Sequence, residues 1–529
     1  MDISLATLAD RHLSTEHSEQ LALRWCGDDG GQRDFSFVEL AGAAGRLAGH
    51  LVRLGVRAGD RVGVMTGRQP ETVIAALAIW KMGAVYCPLF ADFGPAPLLD
   101  RVKVGEIRTL LVGEDAYARA VLPLQGHPEC PSRLLFLGDR LPPGCVALAG
   151  LLHEACANPV LCAPSAQAAL LHFTSGTTAV ASDGAGRPRA ILHDRQLLPL
   201  LIARGRQAFG IAAGDMLWCT GEPGWALHSL FGIIVPLALG ATILVDAVTP
   251  TPTRCLTLLA DQPVDVWYTT PTVIRQLMGA GTATARWSGA RRLRLAASVG
   301  EPLSADAVLW GMAALGLPFR DSWWQTETGG VVLAHRLDQP PRPGSMGKAL
   351  DGVTLKLAER QGEQIVFLAD GGEAVGELAI ALASLAPWRS LGGEPGAAAG
   401  EFAGWHLTHD LVRRDEDGNY WFLGRADDVL NLSGRKVGPF EIEAALMAHP
   451  AVAEVGVVGR RDAGSCEHVV AFIELNPGFD PVPALGRELR QFAVETLGTV
   501  LAPDIIRFEE HLPRTPSGKM IRSMLKARL

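Results

Sequence analysis

A chain of 529 residues is longer than a single hydrophobic core serves, so two or more domains are expected. With 48% hydrophobic and 20% charged residues it has the composition of a soluble globular protein with a large core. A net charge of -8, a pI near 6.0 and the lack of any basic run argue against a nucleic-acid partner. The polar start, Met1-Asp2-Ile3-Ser4, has no signal-peptide hydrophobic core.

Arg61–Met65 reads as a strand, Glu71–Met82 as a helix and Ala84–Leu89 as the next strand, a βαβ unit whose crossover implies a parallel sheet. The pattern recurs at Thr109–Val112, Ala168–Phe173, Ala241–Asp246, Val264–Thr270 and Leu293–Val299. Several of these strands run straight into Gly-, Ser- or Thr-rich loops, and in open α/β sheets ligands collect at such carboxyl ends. The longest uncharged stretch, Pro223–Val245, carries His228, Pro236 and glycines, and reads as a buried helix plus strand, not a membrane span. Ala383–Gly404 is rich in Ala, Gly and Pro and reads as a surface excursion. Trp405–Leu432 has short strands and the hairpin turn Asp417-Gly418. From Glu441 the texture changes to a compact α+β unit: helix Glu441–Met447, strands Val455–Val458 and Val469–Leu475, helix Leu485–Leu497, and a basic tail. The boundary is placed near Asp427, giving domains 1–426 and 427–529. Nine cysteines, scattered singly without a CxxC pair, read as the reduced thiols of a cytoplasmic protein. Ala527-Arg528-Leu529 loosely resembles a peroxisomal address, as any Arg-rich tail could.

Five segments carry chemistry. Thr174-Ser175-Gly176-Thr177-Thr178 follows a strand and sets hydroxyls around one glycine, a loop able to surround a polyphosphate with side-chain and backbone donors. Gly300-Glu301-Pro302 follows the strand Leu293–Val299. Trp323-Trp324-Gln325-Thr326-Glu327-Thr328-Gly329-Gly330 joins indoles that can wall a small pocket or face a base to hydroxyls for phosphate and a carboxylate for magnesium. The Asp410 carboxylate can accept from both ribose hydroxyls, and Arg425 follows in reach of ribose and phosphate oxygens. Lys519 sits in Pro513-Arg514-Thr515-Pro516-Ser517-Gly518-Lys519-Met520, where a Walker A reading fails because Met520 replaces the magnesium-binding hydroxyl.

Taken in order, these motifs resemble those of the adenylate-forming (AMP-forming) acyl-CoA synthetases, and the Trp-Trp-Gln-Thr-Glu-Thr-Gly-Gly segment is most similar to the acetyl-CoA synthetase branch. The resemblance covers nearly the whole chain. It implies an α/β fold: a large N-terminal domain of parallel and mixed sheets flanked by helices, plus a small mobile α+β C-terminal domain that rotates about Asp427. It implies ATP, Mg2+ and coenzyme A, with a small carboxylic acid as the substrate, no membrane partner, and a monomer or homodimer.

The same resemblance assigns Thr174, Ser175, Gly176, Thr177 and Thr178 to the phosphates, and Gly300, Glu301, Pro302 and Trp323 to the adenine side. Gln325, Asp410, Arg425 and Lys436 complete the nucleotide set, Thr326 meets the α-phosphate and Glu327 the magnesium ion. Trp324, Trp225, Ala226, Leu227 and Val299 wall the acyl pocket, where the indole of Trp324 favours short acids. Lys519 drives adenylation and is a target for a lysine acetyltransferase and deacetylase; Gly434 belongs to the thioester step.

There are departures. Ala179–Ala185 is inserted before Gly186-Arg187-Pro188-Arg189, so the family's phosphate-loop lysine becomes Arg189. His409 replaces the glycine of Thr-Gly-Asp, and Ala226 and Leu227 stand where acetate-specific relatives carry Val and Thr. The expected activity is therefore an AMP-forming acyl-CoA synthetase for a short acid, acetate or propionate first. The open alternatives are a longer or aromatic acid, a carrier-protein acceptor, or a nucleotide-binding homologue weakened by the insertion.

Overall fold

The computed structural model describes residues 4–15, 17–156, 168–174, 188–280, 292–361, 364–391, 401–426, 428, 430–432, 435–461, 467–514 and 520–529. The chain divides into two compact units: Met1–Pro343 with Ala349–Gly352 and Ala383–Ala399, and Gly344–Lys348 with Val353–Leu382 and Gly400–Leu529.

The larger unit holds two sheets. In the first, Phe319–Trp323, Leu295–Ser298, Val266–Thr269, Met216–Cys219, Thr242–Asp246 and Leu21–Cys26 lie side by side in that order, all parallel. Leu333–Ala334 and Gln32–Ser36 add antiparallel strands at its ends. Parallel strands are covered on both faces, which is why Val266–Thr269 and Thr242–Asp246 are buried at every position and are mostly apolar. Trp218 and Trp267 are register neighbours and stack with ring centroids 5.4 Å apart in this core.

The second sheet runs Trp388–Leu391, Arg189–Asp194, Ala168–Thr174, Val85–Pro88, Arg61–Met65, Thr109–Gly113, Arg133–Leu137, Cys145–Ala147. The βαβ reading holds: Arg61–Met65 and Val85–Pro88 are parallel and joined by helix Pro70–Lys81, buried throughout and opened by its proline. Trp388–Leu391 corrects the surface-excursion reading, since it closes the sheet edge antiparallel to Arg189–Asp194. The Ala-, Gly- and Pro-rich surroundings hide a four-residue strand that needs only one partner.

In the smaller unit Gln364–Phe367, Leu355–Gln361, Ala374–Ala381, Trp405–Arg414 and Glu401–Phe402 form a sheet, and Tyr420–Arg425 pairs with Trp405–Arg414 across the Asp417-Gly418 turn. A short hairpin, Leu430–Leu432 with Arg435–Val437, precedes the three-stranded sheet Val452–Arg461, Glu467–Leu475, Ile505–Phe508. Helices Pro439–Met447 and Pro483–Leu497 share an apolar core with that sheet. The strand Ile505–Phe508 was not expected from the sequence; the two helices and the other two strands were. No helix among the described residues is long and apolar enough to cross a membrane.

Candidate active site

Parallel pairing in the first sheet sets the carboxyl ends of Met216–Cys219, Val266–Thr269, Leu295–Ser298 and Phe319–Trp323 on one edge. The loops that leave this edge hold Trp225, Val299-Gly300-Glu301-Pro302 and the Trp324–Gly330 segment. Arg68 braces the first of them, donating to the Thr220 carbonyl at 2.9 Å and the Glu222 carboxylate at 2.6 Å. Trp225 then lies against the second loop: a methyl group on Gly300 would come within 2.7 Å of the Trp225 ring, and Gly300 takes φ +96. Glu301 turns to helix Pro271–Gly279, accepting from Thr272 Oγ1 at 2.6 Å and Arg275 Nη2 at 2.7 Å. Ala226, Leu227 and Val299 are buried, Leu227 against Gly221.

Trp323 ends its strand buried, whereas Trp324, Gln325, Thr326 and Glu327 are half-buried. The Trp324 indole Nε1–H donates to Tyr268 Oη at 3.0 Å, and its ring lies 5.5 Å from that of Phe231. Thr328 ties the turn together, its hydroxyl accepting from the Gln325 N–H at 3.1 Å and lying 2.9 Å from the carbonyls of both Gln325 and Gly330. No hydrogen bond joins Thr326 Oγ1 or the Glu327 carboxylate to another described residue.

The second sheet supports this turn from below. His193 Nε2–H donates to the Thr326 carbonyl at 2.7 Å, and Arg204 donates to the carbonyls of Thr328 at 3.3 Å and Ser384 at 2.6 Å. Burial lowers the Arg204 guanidinium to about 10 and His193 to about 4, so His193 is a neutral donor at ordinary pH. His172 lies diagonal to it on the neighbouring strand, lowered to about 3 by burial and then by His193. On the first sheet, Asp321 accepts from Ser298 Oγ at 2.7 Å, and burial raises its carboxyl to about 7. Arg189 opens the strand Arg189–Asp194 opposite Thr174, with Nη2 buried and unpartnered among the described residues.

Residues 11–387 match the family described as AMP-binding enzyme, and residues 441–519 match the AMP-binding enzyme C-terminal domain. The chain belongs to this family. Acetyl-coenzyme A synthetase of Bacillus subtilis (strain 168) is 32% identical over 524 residues, covering 98% of this chain and 89% of its own. The protein of the same name from Halorhodospira halophila (strain DSM 244 / SL1) is 32% identical over 98% of this chain and 82% of its own. Brucella canis acyl-CoA synthetase superposes with a TM-score of 0.72 at 31% identity, over 99% of this chain and 94% of that one. The anthranilate CoA ligase AuaEII, at 24% identity with a TM-score of 0.86 over 99% and 97%, shares the fold. The chain is thus an AMP-forming acid–thiol ligase near the acetyl-CoA synthetase branch, with the large α/β domain and smaller C-terminal domain of that fold.

The smaller unit of this AMP-binding enzyme carries Asp410 and Arg425, register partners on adjacent strands. Asp410 is buried and accepts from Arg425 Nη1 at 2.8 Å, while the same Nη1 reaches the Thr408 carbonyl at 3.0 Å. Lys436 pairs through its backbone with Asn431. Arg514 and Met520 form an antiparallel bridge on either side of the lysine motif. Ser175, Gly176, Thr177 and Thr178, the Ala179–Ala185 insertion, Asp427, Gly434 and Lys519 lie outside the described residues.

Three residues beside the Trp-Trp turn escaped the sequence reading: Tyr268, Phe231 and His193. Tyr268 lies in a strand that reads as plain core, and Phe231 lies in the uncharged Pro223–Val245 run. His193 breaks the apolar run Ala190–Leu192, the one local hint available.

Proposed function

We propose that this ligase activates a short-chain carboxylic acid, acetate or propionate, and passes it to coenzyme A. The observation that carries the reading is the half-buried Trp324 plate, held against Tyr268 and Phe231 at the strand edge that also bears Trp225 and Gly300. An indole of that size leaves room for little beyond a methyl or ethyl group. In the first step a carboxylate oxygen attacks the α-phosphorus of ATP and pyrophosphate leaves; Lys519, Thr326 and Arg189 balance the charge that develops. The Glu327 carboxylate, half-buried and without a protein partner among the described residues, fits a hard cation that takes one protein carboxylate plus phosphate oxygens. Bound magnesium would neutralise phosphate charge there. In the second step the thiolate of coenzyme A attacks the acyl carbonyl and AMP leaves. Asp410 and Arg425 belong to the ribose in this reading, and residues 427–529 form a lid hinged at Asp427 that withdraws Lys519 and brings the Gly434 region to the thiol.

The test is AMP formation from ATP, with and without coenzyme A, across acetate, propionate, butyrate, longer acids and benzoate. CoA-dependent turnover of the two- and three-carbon acids is expected, with kcat/KM falling roughly 10-fold or more for the first methylene that does not fit. Benzoate belongs in the panel because Ala226 and Leu227 depart from the acetate-specific pattern. Preference for butyrate, benzoate or a longer acid would overturn the short-acid assignment.

A further inference from the structure

Behind Trp324 lies a hydrogen-bond chain with only one possible direction. An indole Nε1–H can only donate, so Tyr268 Oη must accept from Trp324 at 3.0 Å. The Tyr268 hydroxyl then spends its own proton on Ser322 Oγ at 2.7 Å. Ser322 in turn donates to the Ser298 carbonyl at 2.7 Å, and a carbonyl can only accept. Trp324 at the head and the carbonyl at the tail thus fix every proton between them. Three adjacent strands supply the chain: Val266–Thr269, Phe319–Trp323 and Leu295–Ser298. It is anchored in rigid sheet one residue before Val299. Tyr268 and Phe231 are fully buried, and their rings meet edge-on at 5.4 Å. Tyr268 also lies 4.6 Å from the ring of Phe209, so it has no room to follow a moving indole. Burial raises the Tyr268 phenol well above its ordinary value, which keeps its proton in place for Ser322.

We propose that Tyr268 is a specificity-determining positioning residue, which fixes the depth of the acid pocket by pinning the Trp324 indole through Nε1. The inference rests on the proposed role of Trp324 as pocket wall. Bulk at position 324 alone would exclude longer acids only if the indole could not turn; the phenol oxygen removes that freedom. Losing it lets the half-buried indole swing toward solvent, where water satisfies its N–H, and the pocket lengthens.

The experiment compares wild type, Tyr268→Phe, Trp324→Gly and the double variant. It reads kcat/KM for butyrate relative to acetate, the KM for ATP, and the melting temperature. Tyr268→Phe is expected to raise the butyrate-to-acetate ratio by about 5-fold or more, with the KM for ATP unchanged. A merely structural role would lower activity toward both acids alike. Trp324→Gly is expected to raise the ratio further, and adding Tyr268→Phe to it should change nothing more, because both act through one indole. If Trp324→Gly shifts the ratio and Tyr268→Phe does not, the positioning role is overturned while the pocket stands. If Trp324→Gly leaves the ratio unchanged, the pocket reading itself falls, and the inference with it. Should Tyr268→Phe fail to fold, Tyr268→Met removes the same acceptor oxygen and must raise the ratio in the same direction; an unchanged ratio there overturns the proposal.

Discussion

His409 occupies φ +57, the left-handed region that glycine enters freely and a residue with a Cβ enters at a cost of about 1 kcal/mol. Local bonds hold it there: its N–H donates to Glu377 Oε1 at 3.1 Å, and its carbonyl accepts from the Ala426 N–H at 2.7 Å. The turn has a purpose one residue on, where Asp410 N–H meets Thr408 Oγ1 at 3.2 Å and the carboxylate meets Arg425. Histidine here holds a backbone conformation that favours glycine. His409→Gly should therefore stabilise the protein by up to about 1 kcal/mol, part of the relief being offset by the freer unfolded chain. His409→Ala keeps the strain and should bring no gain. Melting temperatures of the two variants decide it; equal values would show that the left-handed turn carries no cost here.

At the scale of elements, a second glycine permits a contact no other residue could. A Cβ on Gly438 would collide with the Leu423 carbonyl oxygen, so helix Pro439–Met447 begins directly on the backbone of strand Tyr420–Arg425. Gly438→Ala must push the two apart, at the upper end of the about 1–3 kcal/mol that overpacking costs or beyond it. Faster proteolysis between residues 425 and 440 and a lower melting temperature are expected; an unchanged digest would mean that the helix does not start there. Elements of this kind were legible when they stated their own period. Val266–Thr269 and Leu295–Ser298 lie within the strand runs read from sequence, because a parallel strand covered on both faces is mostly apolar. Trp388–Leu391 and Ile505–Phe508 were missed, being four-residue strands whose identity comes from the neighbour they pair with. The same limit applies to the site. Trp323 through Gly330 announce themselves by contiguity, whereas Tyr268, Phe231 and His193 meet that segment only after the sheets have formed, from 56, 93 and 133 residues away. No spacing rule connects them.

Over the whole molecule, the buried titratable groups of the larger unit predict how stability follows pH. Burial lowers His172 and His228 to about 3 and His193 to about 4, so the fold refuses protons that the unfolded chain takes up near pH 6.5. Unfolding then binds protons between about pH 6.5 and 4, and the stability present above 6.5 is lost as pH falls through that window. Asp321 works the other way. Raised from 3.8 to about 7, it holds a proton in the fold that the unfolded chain releases, so its contribution is greatest at low pH and fades as pH rises through this range. The histidines lowered by burial, His12 among them, outnumber Asp321, so near pH 5 unfolding takes up protons on balance and stability falls with falling pH. The melting temperature of the larger unit should accordingly fall between pH 7 and pH 5. His172 has no hydrogen-bond partner at either nitrogen among the described residues, so His172→Leu removes one proton from the balance without breaking a bond. The variant should lose stability less steeply than wild type around pH 5, by at most about the slope of one titrating proton. Parallel stability curves for the two proteins would show that His172 is protonated equally in both states. His193 carries the consequence for the site: lowered to about 4 by burial, it stays neutral well below pH 6.5 and keeps its Nε2–H on the Thr326 carbonyl, so mild acid should leave the turn that bears Thr326 and Glu327 in place.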